Sequence, residues 1–387
     1  MKKRRSFPVL GLLLAMGLFA AACGSDKKSS DTTVAAVTET TAATTETTAA
    51  ATDTTVTAGT ETTAAGDTVA ASDTTVAAGG APAGAGMIGL VTDVGKVDDK
   101  SFNQSAWDGA QAAAGELGVK SEFIESADQK DYATNIAQLI DKGATTIITV
   151  GFALGEDTAK AATANPTIKF IGVDQFQATE IANYAGLIFP EDKAGYMAGA
   201  LAGLLTKTNK VAAVLGTDTV PPVKKFGEGF RNGVKATNPG AEVFLTYHEP
   251  NNAFGDPAWG ATTAKQALDN GADIVFGAGG STGNGALAEV AKKTGALCIG
   301  VDTDQYETVP EARPCLVTSA MKLIKVGVVT LSKQAADGSM KGGNFAGDVG
   351  LAPYHDQEAA VSADVKAKID PIIADVLSGT TPTGVTL

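Results

Sequence analysis

From about residue 87 onward, short apolar runs alternate with longer stretches patterned for helix. The runs are Ile88–Val91, Glu122–Ile124, Thr146–Val150, Lys169–Val173, Ala185–Ile188, Val211–Leu215, Val243–Thr246, Ile274–Phe276, Leu297–Val301 and Leu316–Thr318. Several are continuous and β-branched rather than alternating, as strands covered on both faces should be. Between them, Ser101–Leu117 places Ala106, Ala110, Ala113 and Leu117 on one helical face. Thr134–Lys142 gathers Ile136, Leu139 and Ile140 and stops at Gly143, and Thr262–Asn270 stops at Gly271. A glycine just past the last helical position suits a left-handed cap. Strand alternating with helix predicts an α/β protein with mainly parallel sheet.

So many strands sit awkwardly in one open sheet, which predicts two doubly wound lobes joined by hinge crossings. The first crossing is expected near Phe189–Asp192, ahead of a small-residue helix over Ala194–Leu205, the second near Thr318–Ala320 and a third near Asp348–Leu351. Lobe one is then 87–188 with 321–347, and lobe two is 189–320. Residues 348–387 form a C-terminal segment that returns across the cleft from Ala352 and ends in a helix over Ser362–Leu377. Spacing alone would also allow one wide doubly wound domain.

The first residues have another character. Lys2, Lys3, Arg4 and Arg5 precede an apolar stretch over Val9–Ala22, the layout of an export signal and too short to span a bilayer comfortably. It ends in Ala20-Ala21-Ala22-Cys23-Gly24, which resembles a bacterial lipoprotein box, with Ala20 where such boxes favour leucine. Residues 1–22 are thus expected to be a signal peptide and Cys23 the acylated residue, placing the chain on the outer face of a cell membrane. Cleavage after an alanine by an ordinary secretory route is the alternative. Residues 23–86, dominated by Thr and Ala, bury too little to offset chain entropy and read as a disordered stalk.

Charge narrows the partners. A net charge of -13 argues against nucleic acid, which attracts basic surfaces. The two histidines, His248 and His355, lack ligand spacing, so no metal and no cofactor is expected. Of the three cysteines, Cys298 and Cys315 lie in or beside neighbouring apolar runs, so a disulfide is expected in an exported chain. Two buried free thiols are the alternative.

Polar residues follow the apolar runs with regularity. Asp93, Asp128, Gly151-Phe152 and Asp174-Gln175 do so in the first half, and Gly216-Thr217-Asp218, Phe254, Asp256, Gly277–Gly285 and Asp302 in the second. Any one could be a helix N-cap, Asp128 and Asp218 above all. Together they describe a polar rim at the carboxyl ends of strands, where open α/β sheets bind ligands.

The segment Val91–Trp107 also resembles the signature of the basic membrane protein family, purine-nucleoside-binding lipoproteins that serve ABC importers. The likeness continues through Gly151-Phe152, Val173-Asp174-Gln175, Phe254–Pro257, Gly279–Gly283, Gly300–Asp302, Thr318–Lys322 and Gly350–Asp356. It implies a type I periplasmic-binding-protein fold and a monomer that hands a purine nucleoside to an ABC permease with its ATPase. It also implies Phe102 and Phe254 as stacking residues, Asp302 as the ribose carboxylate and Lys322 as the lysine paired with it. Asp93, Asn103 and Asp174 could read the base edge, and Gly280 would let backbone approach the sugar. Phe226 and Phe152 are secondary candidates.

Other readings remain open. Gly283-Asn284-Gly285-Ala286-Leu287-Ala288 outlines a dinucleotide fingerprint, but it sits mid-chain rather than in an opening βαβ unit. A nucleoside-cleaving carboxylate pair is conceivable chemistry, and the same fold could bind a sugar or an autoinducer-like molecule.

Overall fold

The computed structural model describes residues 86–386; the signal segment, Cys23 and the Thr/Ala-rich stalk lie outside the described residues. The first stretch contains β1 (Met87–Val94), α1 (Phe102–Leu117), β2 (Lys120–Ser126), α2 (Tyr132–Asp141), β3 (Ala144–Val150), α3 (Gly155–Ala164), β4 (Lys169–Val173) and β5 (Tyr184–Ile188). The second contains α4 (Glu191–Leu205), β6 (Lys210–Leu215), α5 (Pro221–Thr237), β7 (Glu242–Tyr247), α6 (Pro257–Asp269), β8 (Ile274–Ala278), α7 (Gly280–Val290), β9 (Leu297–Asp302), α8 (Gln305–Thr308) and β10 (Leu316–Lys322). The chain then runs through α9 (Ile324–Asp337), β11 (Gly343–Ala346), β12 (Val349–Leu351) and α10 (Ala363–Ser378).

Two six-stranded sheets result, ordered β11-β5-β4-β3-β1-β2 and β12-β10-β9-β8-β6-β7. All pairings are parallel except the antiparallel β10–β12 ladder. All ten apolar runs are strands, most a residue or two longer than their continuous apolar stretch. The two further strands, β11 and β12, have four and three residues and no apolar run, so hydrophobic patterning does not reveal them.

The chain passes between the sheets three times. It crosses after β5, again between Lys322 and Ile324, and again between β11 and β12. Accordingly α9 packs on α1 of the first lobe, while α4 packs on α5 of the second. The C-terminal segment does not return across the cleft, contrary to expectation. Ala352 donates to Ser319 of β10, and α10 docks against α4, where Ile369 and Val376 are buried. Burying these apolar side chains against lobe two removes them from water and fixes the segment there.

Helix ends follow the sequence signals. α1 stops at Gly118, whose φ of 67° is left-handed. The α4–α5 pair packs closely because a Cβ at Gly195 or Gly199 would strike the backbone of Phe226 or Phe230. Cys298 of β9 and Cys315, just before β10, form a disulfide with Cα atoms 5.1 Å apart, inside an apolar cluster with Val275, Leu287 and Leu316.

Candidate functional site

The site begins at the turn between β1 and α1. Asp99 is buried, and its carboxylate accepts from the backbone N–H groups of Ser101, Asn103 and Gln104 at 2.9–3.1 Å. These are donors a helix start leaves without intrahelical partners, so Asp99 closes the first turn of α1. Burial pushes its carboxyl from 3.8 up to about 7, against the pull of those three hydrogen bonds. The capped turn carries Phe102 and Asn103 to the cleft. Asp93, at the end of β1, accepts from the Val94 N–H at 2.6 Å and from the Tyr132 hydroxyl, and burial raises its carboxyl above the usual range.

Lys322 closes the other end. It ends β10, its side chain is 2% exposed, and its ammonium lies 2.6 Å from Asp174, 3.8 Å from Asp302 and 3.9 Å from Glu191. Burial disfavours its charge, but the three carboxylates prevail and hold the ammonium above its ordinary value. The same Nζ stands 4.5 Å from the centroid of the Phe102 ring, with Phe189 and Phe226 at 5.5 and 5.7 Å. Glu191 also pairs with Lys225 at 3.2 Å; its burial and then the charge of Asp174 push its carboxyl up.

One expectation changes here. Lys322 pairs with Asp302 at 3.8 Å, as the resemblance implies, but its 2.6 Å hydrogen bond goes to Asp174, which therefore stands at the lysine end instead of the base-edge end. Asp302 accepts from the Ser101 hydroxyl at 2.8 Å. Burial pushes its carboxyl up, against the stabilising charge of Lys322 and that hydrogen bond.

Asp174 and Asp302 occupy corresponding places. Asp302 is the last residue of the fourth strand in chain order of its lobe's sheet and Asp174 directly follows the fourth strand of the other, and each adopts a left-handed backbone, φ 61° for Asp174 and 64° for Asp302. That conformation is uncommon outside glycine and concentrates at sites where the surroundings enforce it.

These residues line a single cavity of ≈ 630 Å³, a volume that includes its opening to solvent. All eight expected ligand residues, Asp93, Phe102, Asn103, Asp174, Phe254, Gly280, Asp302 and Lys322, meet there. Phe226, Phe152 and Gly151 also line it, with Val220, Pro222 and Val223 from the second lobe. Gly280 has φ 54°, and a Cβ on it would stand 3.2 Å from the Phe254 carbonyl oxygen. Two buried oxygens lining the cavity lack any hydrogen-bond partner, Asn103 Oδ1 and Asp174 Oδ1. Orphaned acceptors of this kind are rare in folded proteins and here point to a donor-bearing ligand. The other rim residues do not converge. Asp128 and Asp256 are N-caps, accepting from Lys130 and Trp259, and Asp218 is exposed.

The lobes touch directly beside the cavity. Asn284 donates to the Asp99 carbonyl at 2.7 Å, and Thr308 and Gln305 donate to the Lys100 carbonyl at 2.8 and 3.3 Å. With the Ser101–Asp302 bond, these join the β1–α1 turn of one lobe to α7, α8 and β9 of the other. Sequence reasoning missed Ser101, Glu191, Asn284 and Gln305 because each acts through a contact distant along the chain. The only local signal was the density of polar residues around Asp99.

Two doubly wound lobes with a largely apolar, aromatic-walled cavity between their strand ends, set with a few convergent carboxylates and one lysine, define a solute-binding protein of the type I periplasmic fold. A crystal structure of an ABC transporter solute-binding protein from Aeropyrum pernix K1 superposes with a TM-score of 0.68 at 26% identity, covering 76% of this chain and 92% of that one. A CD4+ T-cell-stimulating antigen of Listeria monocytogenes is 33% identical over 315 residues, 76% of this chain and 86% of that protein. The ABC transporter nucleoside-binding protein BmpA of Lactococcus lactis is 28% identical over 306 residues, 73% of this chain and 86% of its own length. Residues 88–351 match the Bmp family, described as ABC transporter substrate-binding protein PnrA-like. The chain belongs to this family of ABC transporter substrate-binding proteins.

Proposed function

We propose that this protein is a non-enzymatic receptor that captures a purine nucleoside between its lobes and delivers it to an ABC permease, tethered through a lipid on Cys23. The observation that carries the reading is the distribution of chemistry along one cavity. Aromatic rings come from both lobes, Phe102 from one and Phe226 and Phe254 from the other. Stacking of a base on such rings contributes about 1–3 kcal/mol per base. At one end Asp302, Asp174 and Lys322 can accept from and donate to vicinal hydroxyls. At the other, Asp93 and the orphaned Asn103 oxygen can read a base edge. The Lactococcus relative's description as nucleoside-binding supports the same ligand class.

Ligand held by residues of both lobes favours the closed form, because only there are both sets of contacts made. The cavity holds four aspartates, Asp93, Asp99, Asp174 and Asp302, against the single ammonium of Lys322. It should therefore reject a phosphate, and a nucleoside monophosphate should bind at least about tenfold more weakly than its nucleoside. The test is a thermal-shift screen against nucleosides, free bases and pentoses, since a ligand that binds the folded state raises the melting temperature. Purine nucleosides should give the largest shift. A larger shift with a pentose alone contradicts the reading. Phe102→Ala and Asp302→Ala should each weaken nucleoside binding at least about tenfold without unfolding the chain.

A further inference from the structure

A second cavity adjoins the first. It measures ≈ 990 Å³ including open solvent and shares Asp93, Val94, Val220 and Phe254 with the ligand cavity. It touches none of Asp174, Asp302 or Lys322. The opening therefore lies at the end of the ligand cavity where Asp93 stands, opposite the lysine cluster. Its remaining wall comes from both lobes and is mostly neutral: Ala127, Gln129 and Ala153 from one and Thr217, Thr219 and Asn251 from the other line it, with Asp128 as its only further carboxylate.

Resting on the nucleoside reading above, we infer that this annex admits a substituent on the base edge remote from the sugar, so that the site takes base-modified nucleosides carrying a neutral, hydroxylated group as well as the parent compounds. With the sugar at Lys322 and Asp302, the edge of the purine that faces Asp93 is the one opposite the glycosidic bond. A group attached to an exocyclic nitrogen there passes between Val94 and Val220 into the annex. It does not meet a sealed wall. Amides and hydroxyls along the annex can take up hydrogen bonds from such a group, so its polar atoms are not stranded on entry. A pocket merely too short for the group would reject it through steric overlap.

The experiment measures affinities of the full chain for adenosine, N6-(2-hydroxyethyl)adenosine, guanosine and an N2-hydroxyalkyl guanosine. The measurements are repeated in Ala127→Trp and Thr219→Trp, exposed annex positions outside the ligand cavity. The wild-type protein should bind at least one substituted nucleoside within about tenfold of its parent. Each tryptophan should weaken that substituted ligand at least about tenfold while changing the parent less than about twofold. Loss of about a hundredfold or more for both substituted ligands in the wild type overturns the inference but leaves the nucleoside reading standing. So does an unchanged ratio of substituted to parent affinity in both variants. Failure of adenosine and guanosine themselves to bind overturns the nucleoside reading and the annex with it.

Discussion

The two lobes share a strand order and differ in what they hold the fourth and fifth strands together with. In lobe one the connection between β4 and β5 is fixed by amides. The Asn183 side chain donates to the carbonyls of Ala162, Asn165 and Ile168 at 2.8–3.0 Å, and Gln177 donates to Tyr184 and Gly343. In lobe two the corresponding connection, between β9 and β10, is fixed by the Cys298–Cys315 disulfide. The lobes also divide the cavity chemistry. Lobe one contributes Asp93, Asp99 and Asp174, whereas lobe two contributes Asp302 beside an apolar wall of Val220, Pro222, Val223 and Phe254. One framework, used twice, thus supplies one jaw with three carboxylates and one with a single carboxylate beside apolar surface, and the single ammonium of Lys322 at a crossing serves carboxylates from both.

The largest expected effect breaks that shared ammonium. Lys322→Met leaves Asp174 and Asp302 buried without a cation, and Glu191 with Lys225 alone, which should cost about 3–5 kcal/mol of unfolding free energy in a urea titration. Adding Asp174→Asn should recover part of the loss, because one of the stranded charges is then gone. A cost below about 0.5 kcal/mol, as for an exposed pair, contradicts the arrangement. Next come the two staples. Removing the disulfide by Cys298→Ser with Cys315→Ser should cost about 2–4 kcal/mol. Asn183→Ala should cost about 1–3 kcal/mol through its carbonyl partners. Hydrogen exchange separates the two, since the first should speed exchange in β9 and β10 and the second in β4 and β5. Equal acceleration in both lobes would deny that they are separately stapled.

A further effect concerns pH. The Asp99 carboxyl is raised from 3.8 to about 7 in the folded protein. The folded state therefore holds a proton that the unfolded chain has lost. This contribution is fully present below about pH 4 and is lost as pH rises towards 7. Asp99→Asn, which keeps an acceptor for the helix-start N–H groups, should flatten the slope of unfolding free energy over that interval. An unchanged slope would mean that Asp99 is ionised when buried.

Most of the fold was legible because long parallel strands announce themselves as continuous apolar runs, and helices ended by glycine announce their ends. β11 and β12 were not, because strands of four and three residues carry no period. The direction of the C-terminal segment was not either, since Ile369 and Val376 fit any apolar groove and only packing decides which. In the site, residues at strand ends were visible by position. Partner choice was not: whether Lys322 bonds Asp174 or Asp302 depends on a few ångströms set by both sheets together. Ser101 and Asn284 act across the lobe boundary, which no local pattern encodes.

The most direct measurement is a crystal structure grown with adenosine or guanosine. The purine ring should lie between Phe102 and Phe254, with the ribose hydroxyls on Asp302 and Lys322 and the base edge at Asn103. A cavity filled by the chain's own side chains, or a nucleoside bound outside it, would contradict the account.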